Sequence, residues 1–349
     1  MAVNFFQYRL EDLTDYIQSF GEKKFRAQQL YRWVYGLKEF DFNNMTNISK
    51  NFRAQLPQLL NLELPQVVKE QISRDGTRKY LFDVGDNQTV EAVLIPGNNG
   101  RRTLCLSSEV GCNMACKFCF TGKQKLKKRL STQQIVGQFV RVMMDQPEGE
   151  PITNVVFMGM GEPLDNPEAV FSASKILHSS WGINLSRKKI TVSTSGLVPQ
   201  IPLVTQAGLR LAVSLNASND ETREKIMPIN KKWPIADLLE ACRIHSRTSK
   251  DKVTMEYVLL KDFNDSLEHA RELVKILRNV PSKVNLIPFN EHPDSGFHRP
   301  TEEKVNAFQT YLMSKDVHVL RRRTMGRDIY AACGQLTSAH KNHPITMSI

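Results

Sequence analysis

The sequence predicts an α/β fold, in which a partial (β/α)6-type barrel follows an N-terminal helical domain and a β-meander extension. Three patterns support this fold class. Apolar residues recur at helical spacing up to about residue 60, alternate with polar residues from about 66 to 95, and then form short runs separated by longer helical patterns. Strands that alternate with helices form parallel sheets, because a parallel connection needs a long crossover segment.

The first predicted domain covers residues 1–64 and is helical. Phe25, Leu30, Trp33 and Val34 recur at helical spacing in a segment rich in Lys and Arg. This spacing predicts that the domain packs one apolar face inward and presents a basic surface.

Residues 65–97 are predicted to form a β-meander that links the helical domain to the barrel. The segments VVKEQI, RKYLFDV and VEAVLI alternate between apolar and polar residues. Asp75-Gly76 and Gly85-Asp86-Asn87 separate them, and both are typical of hairpin turns.

Residues 98–340 are predicted to form the barrel, with 341–349 as a tail. The best-marked helix runs from Thr132 to about Asp145, where Ser131 and Gln134 are placed as a capping box. In such barrels the reactive groups lie at the carboxyl ends of the strands. The strand candidates are TLCLSS, NVVFMG, KITVST, RLAVSL, VTMEYVLL, KVNLIPF and VHVLRR.

The composition is that of an ordinary globular protein, with 41% hydrophobic and 24% charged residues among 349. No apolar stretch approaches the roughly 20 residues that cross a bilayer. The first twenty residues lack the pattern of a signal peptide. The sequence therefore predicts a cytoplasmic protein without a membrane partner.

The formal net charge of +11 favours an acidic partner, of which nucleic acid is the commonest. A basic surface without a partner is the alternative. Three clusters of basic residues are candidates for contact with phosphate. They are Lys23, Lys24, Arg26 and Arg32; Lys123, Lys125, Lys127, Lys128 and Arg129; and Arg321, Arg322 and Arg323.

Three of the 6 cysteines, Cys112, Cys116 and Cys119, follow the first barrel strand at spacings of three and two intervening residues. Three thiolates without a fourth nearby can hold a [4Fe–4S] cluster and leave one iron open to a ligand. A structural zinc site would need a fourth ligand, and the nearest downstream histidine is His178. This spacing, with an aromatic residue before the last cysteine, resembles the radical S-adenosylmethionine (SAM) superfamily. The resemblance implies a radical SAM barrel in which SAM binds the open iron.

The following strand ends are candidates for SAM contacts. Glycines allow close approach of the backbone, and a carboxylate accepts hydrogen bonds from an ammonium group. The candidates are Gly161, Glu162, Ser193, Ser214, Leu215, Asn216 and Asn290.

Cys105 and Cys333 lie outside this motif. They are candidates for a nucleophile and a resolving thiol, for ligands of a second cluster, or for buried small apolar residues. Small residues around Cys333 are typical of a flexible loop, and the nearby arginines, Arg327 among them, would favour its thiolate. Cys242, on a predicted helix, is expected to be buried and structural.

The combined motifs are similar, over nearly the whole chain, to the RlmN/Cfr family of RNA adenine methyltransferases. The resemblance implies that Cys333 carries a methyl group, that Cys105 releases the product as a disulfide, and that Glu91 accepts a proton. From its sequence position alone, the alternative for Glu91 is a solvated residue at a strand end. The motifs are TLCLSSEVGCNMACKFCFTG, VVFMGMGEPLDN, ITVSTSG, SLNAS, MPINKKWPI, NLIPFN and DIYAACGQL.

Within that family the chain resembles the members that act at C2 of adenine. The resemblance implies 23S rRNA and tRNA as substrates, two SAM molecules per turnover, an electron donor such as flavodoxin, and a monomer. Asn216 stands where the family more commonly has His, which affects one SAM contact. Methylation at C8, a glycyl-radical activase and a non-catalytic RNA-binding protein are the alternative functions.

Overall fold

The computed structural model describes residues 2–292 and 295–337. The predicted tail, 341–349, lies outside them. The N-terminal part is helical, as the sequence predicts, and a short parallel pair of strands brings its two ends together. Its elements are β1 (Val3–Asn4), α1 (Leu10–Gln18), α2 (Phe25–Tyr31), α3 (Lys50–Leu59) and β2 (Leu60–Asn61).

The predicted meander is confirmed as three antiparallel strands. Aromatic and β-branched residues alternate along them, and Tyr80, Phe82 and Val90 are fully buried in the main hydrophobic core. The strands are β3 (Val67–Ile72), β4 (Arg78–Asp83) and β5 (Thr89–Pro96).

The barrel consists of parallel strands that alternate with helices, and a short hairpin, β7 (Glu109–Val110) with β8 (Lys128–Arg129), follows its first strand. The parallel strands are β6 (Arg102–Cys105), β9 (Asn154–Phe157), β10 (Ile190–Thr194), β11 (Arg210–Ser214), β12 (Val253–Leu259), β13 (Ser282–Pro288) and β14 (Val319–Arg321). The helices are α4 (Thr132–Met144), α5 (Pro167–His178), α6 (Ile201–Gln206), α7 (Asp220–Ile226), α8 (Ile235–Ser249), α9 (Leu267–Leu277) and α10 (Glu302–Met313).

Within the described residues, ten strands form one sheet in the order β14-β13-β12-β11-β10-β9-β6-β5-β4-β3. The last barrel strand, β14, does not pair with the first, β6, so the barrel is partial. The meander joins it through an antiparallel pairing in which Val93 of β5 lies opposite Cys105 of β6. This pairing places β5, which carries Glu91, directly beside the strand of Cys105.

The residues around its first turn determine where helix α4 begins. The Ser131 side chain accepts a hydrogen bond from the Gln134 backbone, and the Gln134 side chain accepts one from Ser131, so the predicted capping box is confirmed. The apolar face of α4 packs onto the sheet, with Ile135, Phe139 and Val142 buried. No helix in the described parts of the chain has both the length and the apolar character required to span a bilayer.

Candidate active site

The three predicted cluster ligands lie on a loop that is folded tightly by its glycines. A side chain at Gly111 would come within 2.2 Å of the Lys125 carbonyl oxygen, and one at Gly122 within 2.6 Å of the Cys116 carbonyl oxygen. Further backbone bonds join Cys112 N to Gln124 O at 3.0 Å and Cys119 N to Cys116 O at 3.1 Å. The loop therefore holds its thiols in place through backbone contacts.

Cys112, Cys116 and Cys119 line a cavity of about 160 Å³ at the carboxyl ends of the barrel strands. All three are free thiols. Six of the seven predicted SAM contacts line the same cavity: Gly161, Glu162, Ser193, Ser214, Asn216 and Asn290. Leu215 does not. It is fully buried, and its backbone N–H donates to Val213 and Glu256.

Glu162 lies on the cavity wall with both carboxylate oxygens engaged by backbone N–H groups. Oε1 accepts from Leu164 at 3.0 Å and Oε2 from Ser195 at 2.7 Å. Burial raises the pKa of Glu162, and these backbone bonds oppose the rise. The carboxylate is therefore held in a defined orientation and keeps lone pairs available for a cationic ligand.

Gly161 is also required for packing, besides the close approach to a ligand that the sequence predicts. Its φ of 98° lies in the region that favours glycine, and a side chain there would meet Glu109 Cβ at 2.5 Å. The close approach therefore serves packing against a buried carboxylate of the hairpin, although Gly161 also faces the cavity.

Arg223 organises this edge of the barrel, and sequence reasoning missed it because it lies in the charged helix α7. Its guanidinium is fully buried and donates to the backbone oxygens of Ser195, Ser214 and Leu215 at 2.7 to 3.0 Å. It also donates to Asn230 Oδ1 at 2.9 Å. One side chain thus joins the ends of β10 and β11.

Asn216 and Asn290 use their amides to fix neighbouring backbone. Asn216 Oδ1 accepts from Val258 N at 2.9 Å, and the residue has a φ of 56°, which Asn tolerates well. Asn290 Nδ2 lies 3.5 Å from the Cys333 carbonyl oxygen, while its Oδ1 accepts from Thr324. Asn290 therefore connects β13 to the loop that carries Cys333.

Cys333 lines two cavities at once. One is the cavity of the three cysteines, and the other, of about 40 Å³, also contains Cys105. Arg322 lines both. The structure thus brings together two thiols separated by more than two hundred residues.

Arg322 is the arginine of the predicted cluster that acts on the two thiols. Burial raises the pKa of Cys105 to about 12 and raises that of Cys333, and Arg322 opposes the rise at both. Glu256, buried on β12, faces Arg322 and is bonded through both oxygens to Asn285 Nδ2 at 3.0 and 3.1 Å. Arg321 points elsewhere, since it bonds to Glu302 and Asn306.

Glu91 is buried rather than solvated and lies within β5. Its Oε1 is 3.0 Å from Lys79 Nζ, and its Oε2 accepts from Thr337 N at 2.9 Å. Burial raises the pKa of Glu91, whereas Lys79 lowers it. Glu91 does not line either cavity described above in residues 2–292 and 295–337.

The loop that carries Cys333 is bonded to the meander on one side and to the cysteine loop on the other. Lys79 Nζ donates to Tyr330 O at 3.3 Å, and Gly326 N donates to Asp75 at 2.8 Å. Phe120 N donates to Gly334 O at 2.7 Å. These bonds hold Cys333 between the cavity and β5.

The residues that line the cavity fit an iron–sulfur cluster together with SAM. The three thiols share one cavity wall with small strand-end residues. A multi-iron cluster needs such an open set of soft donors, and the rest of the cavity offers SAM a carboxylate and hydroxyl groups.

Several predicted phosphate contacts are already engaged within the protein. Lys128 pairs with Asp86 at 2.7 Å, and Arg129 pairs with Asp165 at 2.9 Å. Arg26 bonds to Glu22 and Gln29 in the helical domain. These cations stabilise local structure, so they are poorer candidates for RNA contacts than the sequence clusters indicated.

Comparison with known proteins identifies two regions of the chain. Residues 3–62 match the ribosomal RNA large subunit methyltransferase N-terminal domain, and residues 107–274 match the radical SAM superfamily. The structure superimposes on a radical SAM methyltransferase from Sphaerobacter thermophilus with a TM-score of 0.90 and 38% identity, covering 97% of this chain and 100% of the other. The predicted radical SAM fold is therefore confirmed.

Two relatives carry the name dual-specificity RNA methyltransferase RlmN. The protein from Bdellovibrio bacteriovorus is 61% identical over 347 residues, which cover 99% of this chain and 86% of the relative. That from Geotalea uraniireducens is 46% identical over 94% of this chain and 95% of the relative. An iron–sulfur cluster and SAM are the cofactors of a radical SAM domain. The chain belongs to the RlmN family of radical SAM RNA methyltransferases.

Proposed function

We propose that this enzyme methylates C2 of an adenosine in 23S rRNA and of the adenosine on the 3′ side of the anticodon in tRNA. The names of its relatives, which specify RNA and dual specificity, support this proposal. The observation that carries it is the position of Cys333, which faces the cavity of the three cysteines and the cavity of Cys105. Such a thiol can receive a group on one side and release it on the other. The cytoplasm, where both RNAs occur, is the corresponding location.

Cys112, Cys116 and Cys119 would hold one [4Fe–4S] cluster, and the opposite cavity wall would hold SAM. When bound, the cluster and SAM supply a 5′-deoxyadenosyl radical and, from a second SAM, the methyl group. Glu162 would accept hydrogen bonds from the methionine ammonium, and Ser193, Ser214, Asn216 and Asn290 would bound the rest of the ligand. Gly161 leaves the backbone open to it.

The two thiols answer a chemical problem. Adenine C2 is electron-poor, so it does not attack a methyl donor as a nucleophile would. Cys333 would take the methyl group of one SAM on its sulfur and would then lose one hydrogen atom of that methyl to the 5′-deoxyadenosyl radical derived from a second SAM. The resulting S–CH2 radical would add to C2, which joins the protein to RNA covalently.

The adduct would lose its C2 proton and return one electron to the oxidised cluster. The thiolate of Cys105 would then attack the sulfur of Cys333, so that the S–CH2 bond breaks with its electron pair on carbon and that carbon takes up a proton to become the methyl group. The disulfide between Cys105 and Cys333 would be reduced by the electron donor before the next turnover.

Glu91 would accept the proton that leaves C2 of the adduct. Lys79 favours the ionised form that this role requires. Because Oε2 of Glu91 is bonded to Thr337 N, we propose that this end of the loop moves away during turnover. Such movement would bring the carboxylate into reach of the base.

Nucleoside analysis tests the proposal most directly. Reconstituted enzyme is incubated with SAM, a flavodoxin-class electron donor, and transcripts of 23S rRNA and tRNA. We expect 2-methyladenosine in both RNAs. A product with 8-methyladenosine would overturn the assignment of C2, and methylation confined to one RNA would overturn the dual substrate.

Replacement of Cys105 by Ala is expected to trap the protein on its RNA. Without the resolving thiol, the bond between Cys333 and the base has no nearby nucleophile to break it. Turnover should stop after about one event per enzyme. A denaturing gel should show labelled RNA that migrates with the protein, and the adduct should be absent when SAM is omitted. Free methylated RNA in multiple turnovers would contradict the role of Cys105.

Replacement of Lys79 by Met is expected to shift the pH dependence of the reaction. Burial already raises the pKa of Glu91, and loss of the cation would raise it further. Since Glu91 acts in its ionised form, the acidic limb of the rate profile should move to higher pH. We expect about a tenfold loss of rate at neutral pH for each unit of that shift.

The Lys79→Arg variant is the matched control, because it keeps the charge beside Glu91. It should restore most of the parent pH profile. An unshifted acidic limb in Lys79→Met, measured on RNA methylation at saturating SAM, would contradict the proposed pairing.

A further inference from the structure

A second opening of the barrel lies at the amino ends of its strands, opposite the three-cysteine loop. It is a cavity of about 560 Å³, lined by Asn154, Thr191, Arg210 and Thr254 from the first residues of β9 to β12. Its volume lies in the range of ordinary ligand sites. We call this cavity the amino-end vestibule.

The vestibule is strongly basic. Its only acidic lining residue in the described chain is Glu256, whose oxygens are bonded to Asn285. Six cationic side chains line it: Arg101, Lys188, Arg210, Lys283, Arg322 and Arg323. So dense a positive field attracts anions and holds them more strongly than isolated surface cations do.

The outer cations of the vestibule are available to a ligand. Within residues 2–292 and 295–337, Arg101, Lys188, Arg210 and Lys283 have no carboxylate at ion-pair distance. Lys128, Arg129 and Arg321, by contrast, are paired. Burial lowers the pKa of Lys283, and the charges of Arg210 and Arg101 lower it further. Glu256 and Asp251 oppose this lowering, but neither forms an ion pair with these four cations in the described residues.

The vestibule shares a wall with the cavity of the reactive thiols. Ile95, Met158, Arg322 and Arg323 line both the vestibule and the cavity that contains Cys105 and Cys333. Only these shared side chains therefore need to move for the cavity of Cys333 to open toward the amino ends of the strands. A base that leaves its stack needs such a route, together with contacts that hold the flanking backbone.

We propose that the amino-end vestibule binds backbone phosphates of the RNA substrate, so that the flipped adenine reaches Cys333 from the amino ends of the barrel strands. This inference rests on the proposed function, because it assumes that RNA is the substrate. RNA fits better than a small phosphate compound, since Arg101, Lys188 and Arg210 are exposed, lie on separate chain segments and line a space that shares a wall with the cavity of the thiols.

The test is the salt dependence of RNA binding by the holoenzyme. In the triple variant Arg101→Gln, Lys188→Gln, Arg210→Gln, the slope of log affinity against log salt should fall by about 2, because each phosphate contact contributes roughly 0.7 in single-stranded RNA. The KM for RNA should rise at least about tenfold at 100 mM salt, while the melting temperature stays within a few degrees.

The matched control removes three exposed lysines from the outer surface of the barrel: Lys175→Gln, Lys275→Gln, Lys315→Gln. It has the same net charge as the vestibule variant and should keep the parent slope and KM. A second variant, Arg101→Lys, Arg210→Lys, retains the charge and should bind RNA nearly as the parent does.

Three outcomes would decide against the vestibule. The first is that the triple variant keeps the salt slope and the KM for RNA of the parent enzyme. The second is that the control variant loses as much RNA affinity as the triple variant does. The third is loss of inorganic pyrophosphate binding with RNA binding unchanged, which would make this a small-anion site. The proposed function fails separately, if the parent enzyme forms no methyladenosine, and the salt slopes can be measured in either case.

Discussion

Replacement of Cys333 by Ala is expected to abolish RNA methylation, with a loss of at least about a thousandfold. The proposed reaction carries the new carbon on this sulfur, and loss of a covalent nucleophile removes most of the rate that it supports. The cavity that holds the three cysteines should remain, since the loop around residue 333 is held by backbone bonds of Gly326 and Gly334. The enzyme should therefore still bind SAM.

Two measurements separate this outcome from misfolding. Mass spectrometry of the parent protein made with SAM should find one methyl group on Cys333 and none in the variant. Iron content should be equal in both. RNA methylation by Cys333→Ala at a rate near that of the parent would exclude the thiol-borne intermediate and would favour direct transfer.

Replacement of Cys116 by Ala is expected to eliminate the iron centre and every reaction that depends on it. Cys116 lies in the middle of the three thiols and faces the shared cavity. Two remaining thiolates leave two irons of a cubane without protein ligands, so the cluster should be lost. Iron and sulfide per chain should fall from about four to near zero. Formation of 5′-deoxyadenosine on reduction should become undetectable.

Cys242→Ala is the matched control, because Cys242 is a fully buried cysteine on α8 away from the cavity. We expect unchanged iron content and a loss of about 1 kcal/mol in the free energy of unfolding. If Cys116→Ala kept a full complement of iron and sulfide, the assignment of the three-cysteine loop as the cluster site would be wrong.

The features that could be predicted from the sequence are those that local patterns encode. Alternation of apolar residues located β3, β4 and β5 to within one or two residues, and the Ser131 capping box located the start of α4. The spacing of the three cysteines also predicted that they share a site, because all three lie on one short loop. Six of the seven predicted SAM contacts line the cavity, since parallel strands end at a common edge.

What could not be predicted depends on partners distant in the chain. Arg223 resembles any charged residue of an exposed helix, and only the fold shows that it joins two strand ends. The role of Lys79 depends on its contacts with Glu91 and with the carbonyl oxygen of Tyr330, which only the fold shows. Glu256 offered a signal that went unused, since a carboxylate inside the apolar strand VTMEYVL is costly unless it is paired.

Cys105, Glu91 and Cys333 all lie outside residues 107–274, the stretch that matches the radical SAM superfamily. Glu91 of the meander and Cys105 of β6 precede the shared region, and Cys333, on the loop that is bonded to the meander, follows it. Sequence changes in the segments before and after a shared radical SAM domain could thus alter the reaction that follows radical formation. A genome survey that searches only for the radical SAM domain will find such enzymes but will not indicate their products. A survey that also requires thiols at the positions of Cys105 and Cys333 would select the enzymes expected to use a methyl-carrying cysteine.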